Sequence, residues 1–131
     1  MSASVGWHAP ENNLVIIQFH LRWTWQDFDD AVDEAYALIR TVPQPVAAII
    51  DFTGASGFPD PHIIEHLRRS IHTRPENFDL MVIAGVSPIL HEVSVALRYL
   101  LPQPHQKFST QFTATLAQAE ALILSQRTER T

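Results

Sequence analysis

Asp51-Phe52-Thr53-Gly54-Ala55-Ser56-Gly57-Phe58-Pro59-Asp60-Pro61 follows the apolar run Val46-Ala47-Ala48-Ile49-Ile50 and precedes an amphipathic stretch. It reads as a loop that leaves a strand and enters a helix. The continuous apolar run predicts a strand buried on both faces. Asp60 followed by Pro61 pairs an N-cap acid with a proline in the first helical turn, where the missing N–H forfeits no hydrogen bond. Ile63, Ile64, Leu67 and Ile71 then form one buried helical stripe, with Glu65, Arg68, Arg69 and His72 on the outer face. In an open α/β sheet such a loop lies at the carboxyl edge of the strands, where ligands and partners dock.

The pattern continues in both directions. Leu14-Val15-Ile16-Ile17-Gln18-Phe19-His20, after the turn signal Pro10-Glu11-Asn12-Asn13, is rich in β-branched residues and predicts a strand, with Val5 to His8 as its hairpin arm. Thr24 and Asp27 match a capping box, and Phe28, Val32, Ala35 and Ile39 fall on one helical stripe. Asp29, Asp30, Asp33 and Glu34 take the other face of that helix, which Pro43 and Pro45 close. Leu80 to Val86 predicts a central strand, and Ser87-Pro88 opens a third helix from about Ile89 to Leu101. Alternation over Lys107 to Phe112 predicts a half-exposed edge strand. Thr115 and Gln118 match a second capping box ahead of Leu116, Ala119, Leu122 and Ile123, and residues 126–131 read as a fraying tail. The order β, β, α, β, α, β, α, β, α predicts a single α/β domain: a mixed, mostly parallel sheet of four to five strands with about four helices.

Composition removes several function classes. In 131 residues, 46% hydrophobic and 18% charged, there is material for one domain with a core. The net charge of −5 offers no electrostatic footprint for nucleic acid or anionic membranes. The absence of cysteine removes disulfides, thiol nucleophiles and cysteine metal ligands, and suits a cytoplasmic protein. No apolar run reaches the length of a membrane span, and the start of the chain has neither a positive n-region nor an apolar h-region.

Element order and the stretch Asp51-Phe52-Thr53-Gly54-Ala55-Ser56-Gly57-Phe58 resemble the STAS family, bacterial anti-sigma-factor antagonists and anion-transporter tails with a SpoIIAA-like fold. The match lies in an acidic, an apolar and a small polar residue at a strand end, then glycine before the second helix. The resemblance implies a signalling module that binds a protein partner, switched by phosphorylation of a serine in this loop. Here the corresponding positions read Pro59, Asp60, Pro61 and His62, so the switch serine is missing and Asp60 stands in the place of the modified hydroxyl. Two readings of Asp60 compete: a helix N-cap, or a fixed charge that imitates the phosphorylated state. The wider fold also implies an alternative use, holding an apolar small molecule or a lipid.

Parallel strands ending at His20, Phe52 and Val86 share one rim, which gathers Arg22, Trp23, Trp25, Asp51, Thr53, Ser56, Phe58, Asp60, Ser87 and His91. Trp23, Trp25 and Phe58 either cap the core or anchor a partner. Asp51 either ionises usefully or accepts hydrogen bonds from the loop that follows it. No serine lies in a nucleophile motif, and no glycine-rich phosphate loop exists. His62-Ile63-Ile64-Glu65-His66 matches the H-x-x-E-H pattern of inverted zinc peptidases, in which two histidines one turn apart hold zinc and the glutamate activates water. A third ligand is needed, for which Glu92 beside His91 is the nearby candidate; the competing reading leaves these histidines in solvent. The predicted third helix carries more leucine and valine than one sheet-packed stripe needs, which offers a homodimer face. The expectation is a non-enzymatic, cytoplasmic interaction module without a cofactor, recognising a protein through this rim; its rivals are an apolar-ligand domain and a small zinc hydrolase.

Overall fold

A computed structural model describes residues 3–9, 13–55, 63–85 and 109–129. The order is β1 (Ala3–Ala9), β2 (Leu14–Phe19), α1 (Trp25–Ile39), β3 (Val46–Asp51), α2 (Ile63–His72), β4 (Phe78–Ala84), β5 (Ser109–Thr113) and α3 (Leu116–Glu129). The predicted helix over 89–101, with its homodimer face, lies outside the described residues.

The strands form one sheet in the order β1-β2-β3-β4-β5. β1 runs antiparallel to β2, as a hairpin arm must, and the other neighbours are parallel. The mixed, mostly parallel sheet of the sequence reading is therefore present. Among the described strands the spatial order never reverses, so the sheet lacks the crevice that opens at a switch point in doubly wound folds. The loop after β3 sits on a continuous rim.

Two parallel crossovers of the same hand place α1 and α2 on one face of the sheet. Val15, Ile17, Phe19, Val46, Ala48, Ile50, Phe78, Met81 and Ile83 face them, buried with Phe28, Val32, Ala35, Tyr36 and Ile39 of α1 and Ile71 of α2. The alternate strand residues Leu14, Ile16, Ala47, Ile49, Leu80, Val82 and Ala84 form a second core with Ala119 and Ile123 of α3. This division is the period-two alternation of a strand covered on both sides, which explains why β3 and β4 read as continuous apolar runs.

Register shifts interrupt the alternation at two places. In β1, Trp7 pairs with Val15 and Ala9 with Leu14, so His8 is an extra residue that moves Ala9 onto the α3 face. His8 Nε2 lies 3.0 Å from Glu120 Oε1 of α3, tying the hairpin arm to that helix. β4 starts and stops two residues earlier than its apolar run predicts. Phe78 N–H donates to Pro75 C=O in the turn before it, and Gly85, at φ 90°, ends the strand.

Local signals act where the sequence places them. Asp27 N–H donates to Thr24 Oγ1 at 3.1 Å and Thr24 N–H to Asp27 Oδ2 at 2.9 Å, the two halves of the α1 capping box. Thr115 and Gln118 repeat the arrangement at α3. At the other end of α1, the side-chain amide of Asn77 donates to the carbonyls of Ile39, Val42 and Gln44 at 2.9, 2.9 and 3.0 Å, and Val46 N–H donates to Asn77 C=O. One residue before β4 thereby fixes both the end of α1 and the start of β3.

Candidate functional site

The carboxyl rim is knit together by close backbone approaches. Ala55 N–H donates to Phe52 C=O and closes a turn over 52–55, while Phe52 N–H donates to Ala84 C=O. Gly54 approaches the carbonyl oxygen of Phe19 so closely that a β-carbon there would sit 3.4 Å from it. Gly85 packs against Phe52 and Thr53 and donates its N–H to Thr113 C=O. The ends of β2, β3, β4 and β5 thus form one surface.

Asp51 is 4% exposed, and both of its carboxylate oxygens are engaged. Oδ1 accepts from Thr53 N–H at 2.9 Å and from Thr53 Oγ1 at 2.6 Å, and Oδ2 accepts from Gln18 Nε2 at 3.2 Å. This is an Asx-type turn at a strand end with a cross-strand amide on the remaining oxygen. Of the two readings of Asp51, the geometry matches the structural one: both of its oxygens accept hydrogen bonds that shape the rim.

Trp23 and Trp25 are 6% and 7% exposed, so their rings give almost no surface to a partner. Trp23 lies 4.8 Å from Phe19, 4.9 Å from Trp25 and 5.3 Å from Phe52, ring centre to ring centre. Phe19 also stacks on Phe52 at 5.0 Å. These rings pack on one another beneath residues 20–24 and 52–55. Each pair adds roughly 0.5–1.5 kcal/mol beyond its area burial. The tryptophans cap the core, and in doing so they hold the loop between β2 and α1 in place.

That loop presents what the cap leaves outside. His20, Leu21 and Arg22 are exposed between buried Phe19 and buried Trp23, and Thr53 and Gly54 are exposed on the neighbouring turn. Leu21 is 69% exposed. No hydrogen bond or ion pair joins Arg22 or Arg68 to another described residue, whereas Arg40, Arg69 and Arg74 each bond internally. Sequence pattern does not mark Leu21, because a leucine just past an apolar strand reads as core; only the burial of residues on both sides of it shows that it must face outward. Ser56, Phe58, Asp60, Ser87 and His91 lie outside the described residues.

The H-x-x-E-H stretch is only partly described. His66 is not a solvated surface histidine: its ring stacks flat on Trp25 at 4.6 Å and 3°, and Nδ1 lies 3.0 Å from Asp29 Oδ1. Asp29 in turn faces α2, not solvent, and Arg69 reaches Asp29 at 3.7 Å and Asp33 at 3.5 Å. Helix packing therefore takes Asp29 out of the acidic outer face predicted for α1. Glu65 points to solvent while His66 faces α1, and His62 and Glu92 lie outside the described residues. Among the described residues, no three His, Asp or Glu side chains are grouped to hold a metal ion.

The backbone superposes on a solved structure described as that of an anti-sigma-factor antagonist (STAS) domain protein from Planctomyces limnophilus. The TM-score is 0.59 at 17% identity, over 93% of this chain and 97% of that one. The chain has the fold of a STAS domain. No protein-family model matches the sequence, and no curated protein sequence matches it. At this identity the likeness concerns architecture, so within the STAS fold the residues of the rim themselves must carry any statement about activity. No helix among the described residues is long and apolar enough to cross a membrane.

Proposed function

We propose that the chain is a non-enzymatic, cytoplasmic STAS-like interaction module that recognises a protein partner through the carboxyl rim, without the phosphoserine switch. The observation that carries this reading is the rim loop His20-Leu21-Arg22, exposed yet anchored on both sides by buried aromatic rings. A loop held in this way binds with little further loss of conformational freedom. The buried carboxylate beside it is spent on Thr53 and Gln18, which supports recognition over catalysis. Asp60 occupies the position of the switch hydroxyl in the STAS resemblance, so a kinase that modifies that position has no hydroxyl to act on. The close packing of Phe19, Trp23 and Phe52 under the described part of the rim favours a protein surface over an apolar small molecule.

The test is photo-cross-linking with benzoylphenylalanine placed in turn at Thr53, on the rim, and at two exposed control positions away from it, Gln44 and Ser125. In cells that produce the chain natively, a discrete adduct from Thr53 and none from the controls is expected. Adducts of equal yield from all positions, or none from Thr53, would contradict the reading.

A further inference from the structure

We infer that two copies of this chain pair through the outer edge of β1, antiparallel and centred on Val5, so that their sheets join into one. β1 is an edge strand: β2 pairs with it on one side, and no described strand pairs with it on the other. The direction of its backbone groups follows from the next ladder in the sheet. Ala47 N–H donates to Asn13 C=O, so by the alternation of a strand Val15, Ile17 and Phe19 also aim their backbone groups at β3. Ile16 and Gln18 then aim theirs at β1, where they meet Gly6 and Ser4. Ala3, Val5 and Trp7 are left with backbone N–H and C=O directed out of the sheet.

The residues fit this edge to a copy of itself. Ala3–Ala9 contains no Asp, Glu, Lys, Arg or Pro, the residues that guard an exposed edge, so the net charge of the chain lies elsewhere. A two-fold axis through Val5 sets Ala3 opposite Trp7 of the second copy and Ser4 opposite its Gly6, and each larger side chain meets a small one. The pairs Ala3–Trp7, Val5–Val5 and Trp7–Ala3 each exchange two N–H···O bonds. Ala3, Val5 and Trp7 lie on the sheet face that α1 covers, and the two-fold axis keeps that face on one side of the joined sheet. Because α1 packs over β1 and β2, the two copies of α1 come to lie about 10 Å apart, the ordinary spacing of packed helices. The extra residue His8 ends the regular part of the edge after Trp7. The opposite edge offers less: Gly85 N–H donates to Thr113 C=O, which turns Ser109, Gln111 and Thr113 toward β4 and leaves Thr110 and Phe112 of β5 facing outward.

Sedimentation equilibrium and amide exchange followed by NMR, both on the intact chain, test the pairing. Mass should rise with concentration from 14.8 kDa toward twice that value. In the dimer the amides of Val5 and Trp7 should become protected, in alternation with those of Ser4 and Gly6, which β2 already protects in the monomer. Ser4→Lys with Gly6→Lys, and Ser4→Glu with Gly6→Glu, place like charges opposite one another across the axis and should each weaken self-association about tenfold. Mixed together, the two variants should form a heterodimer in native mass spectrometry. Ser4 is exposed and a β-carbon on Gly6 meets nothing within 4 Å, so both variants keep the fold, which circular dichroism checks. Should either variant fail to fold, the exchange pattern of the wild type still decides. A mass of 14.8 kDa at millimolar concentration overturns the inference. So does a dimer in which Val5 and Trp7 exchange as in the monomer, or one that folded like-charge variants form as tightly as the wild type.

Discussion

Gly85→Ala should be among the most damaging single-carbon changes in this protein. Gly85 holds φ 90°, and a β-carbon built there would lie 2.9 Å from Phe52 C and 2.9 Å from Thr53 N. The left-handed backbone costs a residue with a β-carbon about 1–2 kcal/mol. The contact is with backbone, which no rotamer change can relieve, and overpacking of that kind costs on the order of 1–3 kcal/mol more. The sum of about 2–5 kcal/mol corresponds to a fall in Tm of roughly 6–15 °C for a domain of this size. Gly6→Ala is the internal control, because nothing lies within 4 Å of its added carbon and its φ is ordinary for a strand. There the same change should raise stability by about 0.5 kcal/mol, through reduced freedom of the unfolded chain. Thermal and urea denaturation of the two variants read the difference directly. Equal stability of Gly85→Ala and Gly6→Ala would refute the close packing of the turns after β3 and β4.

Three further outcomes follow from the interior. Asn77→Ala leaves the carbonyls of Ile39, Val42 and Gln44 without their shared donor and should cost about 1–3 kcal/mol in urea titration, whereas the neighbouring exposed Glu76→Ala should be within about 0.5 kcal/mol of wild type. Thr110→Val removes a buried hydroxyl that has no hydrogen-bond partner among the described residues and should stabilise the protein by about 1 kcal/mol, read as a higher urea midpoint at unchanged m. Tyr36 donates its hydroxyl to Ser70 C=O, and burial pushes its ionisation well above the ordinary phenol value of 10.0. With the folded value raised, its contribution is complete below about pH 10 and is lost as pH climbs from there toward the folded value. Tyr36→Phe should therefore flatten the alkaline loss of stability, measured by urea titration between neutral pH and pH 11.

Much of the fold was legible because its determinants are local. The capping boxes at Thr24 and Thr115 need only side chains three residues apart, and the apolar runs of β3 and β4 report burial on both faces without reference to any neighbour. The ends of β4 were less legible, because Asn77 and Gly85 act through contacts with α1 and with the turn after β3, far away in sequence. The candidate site shows the same division. Residues that gather at the rim follow from strand direction, so Arg22, Asp51 and Thr53 are placed there by topology alone. Whether Trp23 and Trp25 face inward or outward depends on the rings of Phe19, Phe28, Phe52 and His66, which come from several different elements. Once those tryptophans turn inward, Leu21 is left as the apolar side chain that the loop exposes. His66 likewise reads as a ligand in its short motif and becomes a stacking and hydrogen-bonding contact only when α2 lies against α1.

The most direct test of the rim as the working surface is amide hydrogen exchange of the chain alone and in complex with the protein recovered from the Thr53 cross-link. Protection on binding should concentrate in residues 20–23 and 52–55, with α3 and the exposed face of α1 unchanged. Protection that falls instead on α3 or on the acidic face of α1, with the rim exchanging as in the free chain, would contradict the account.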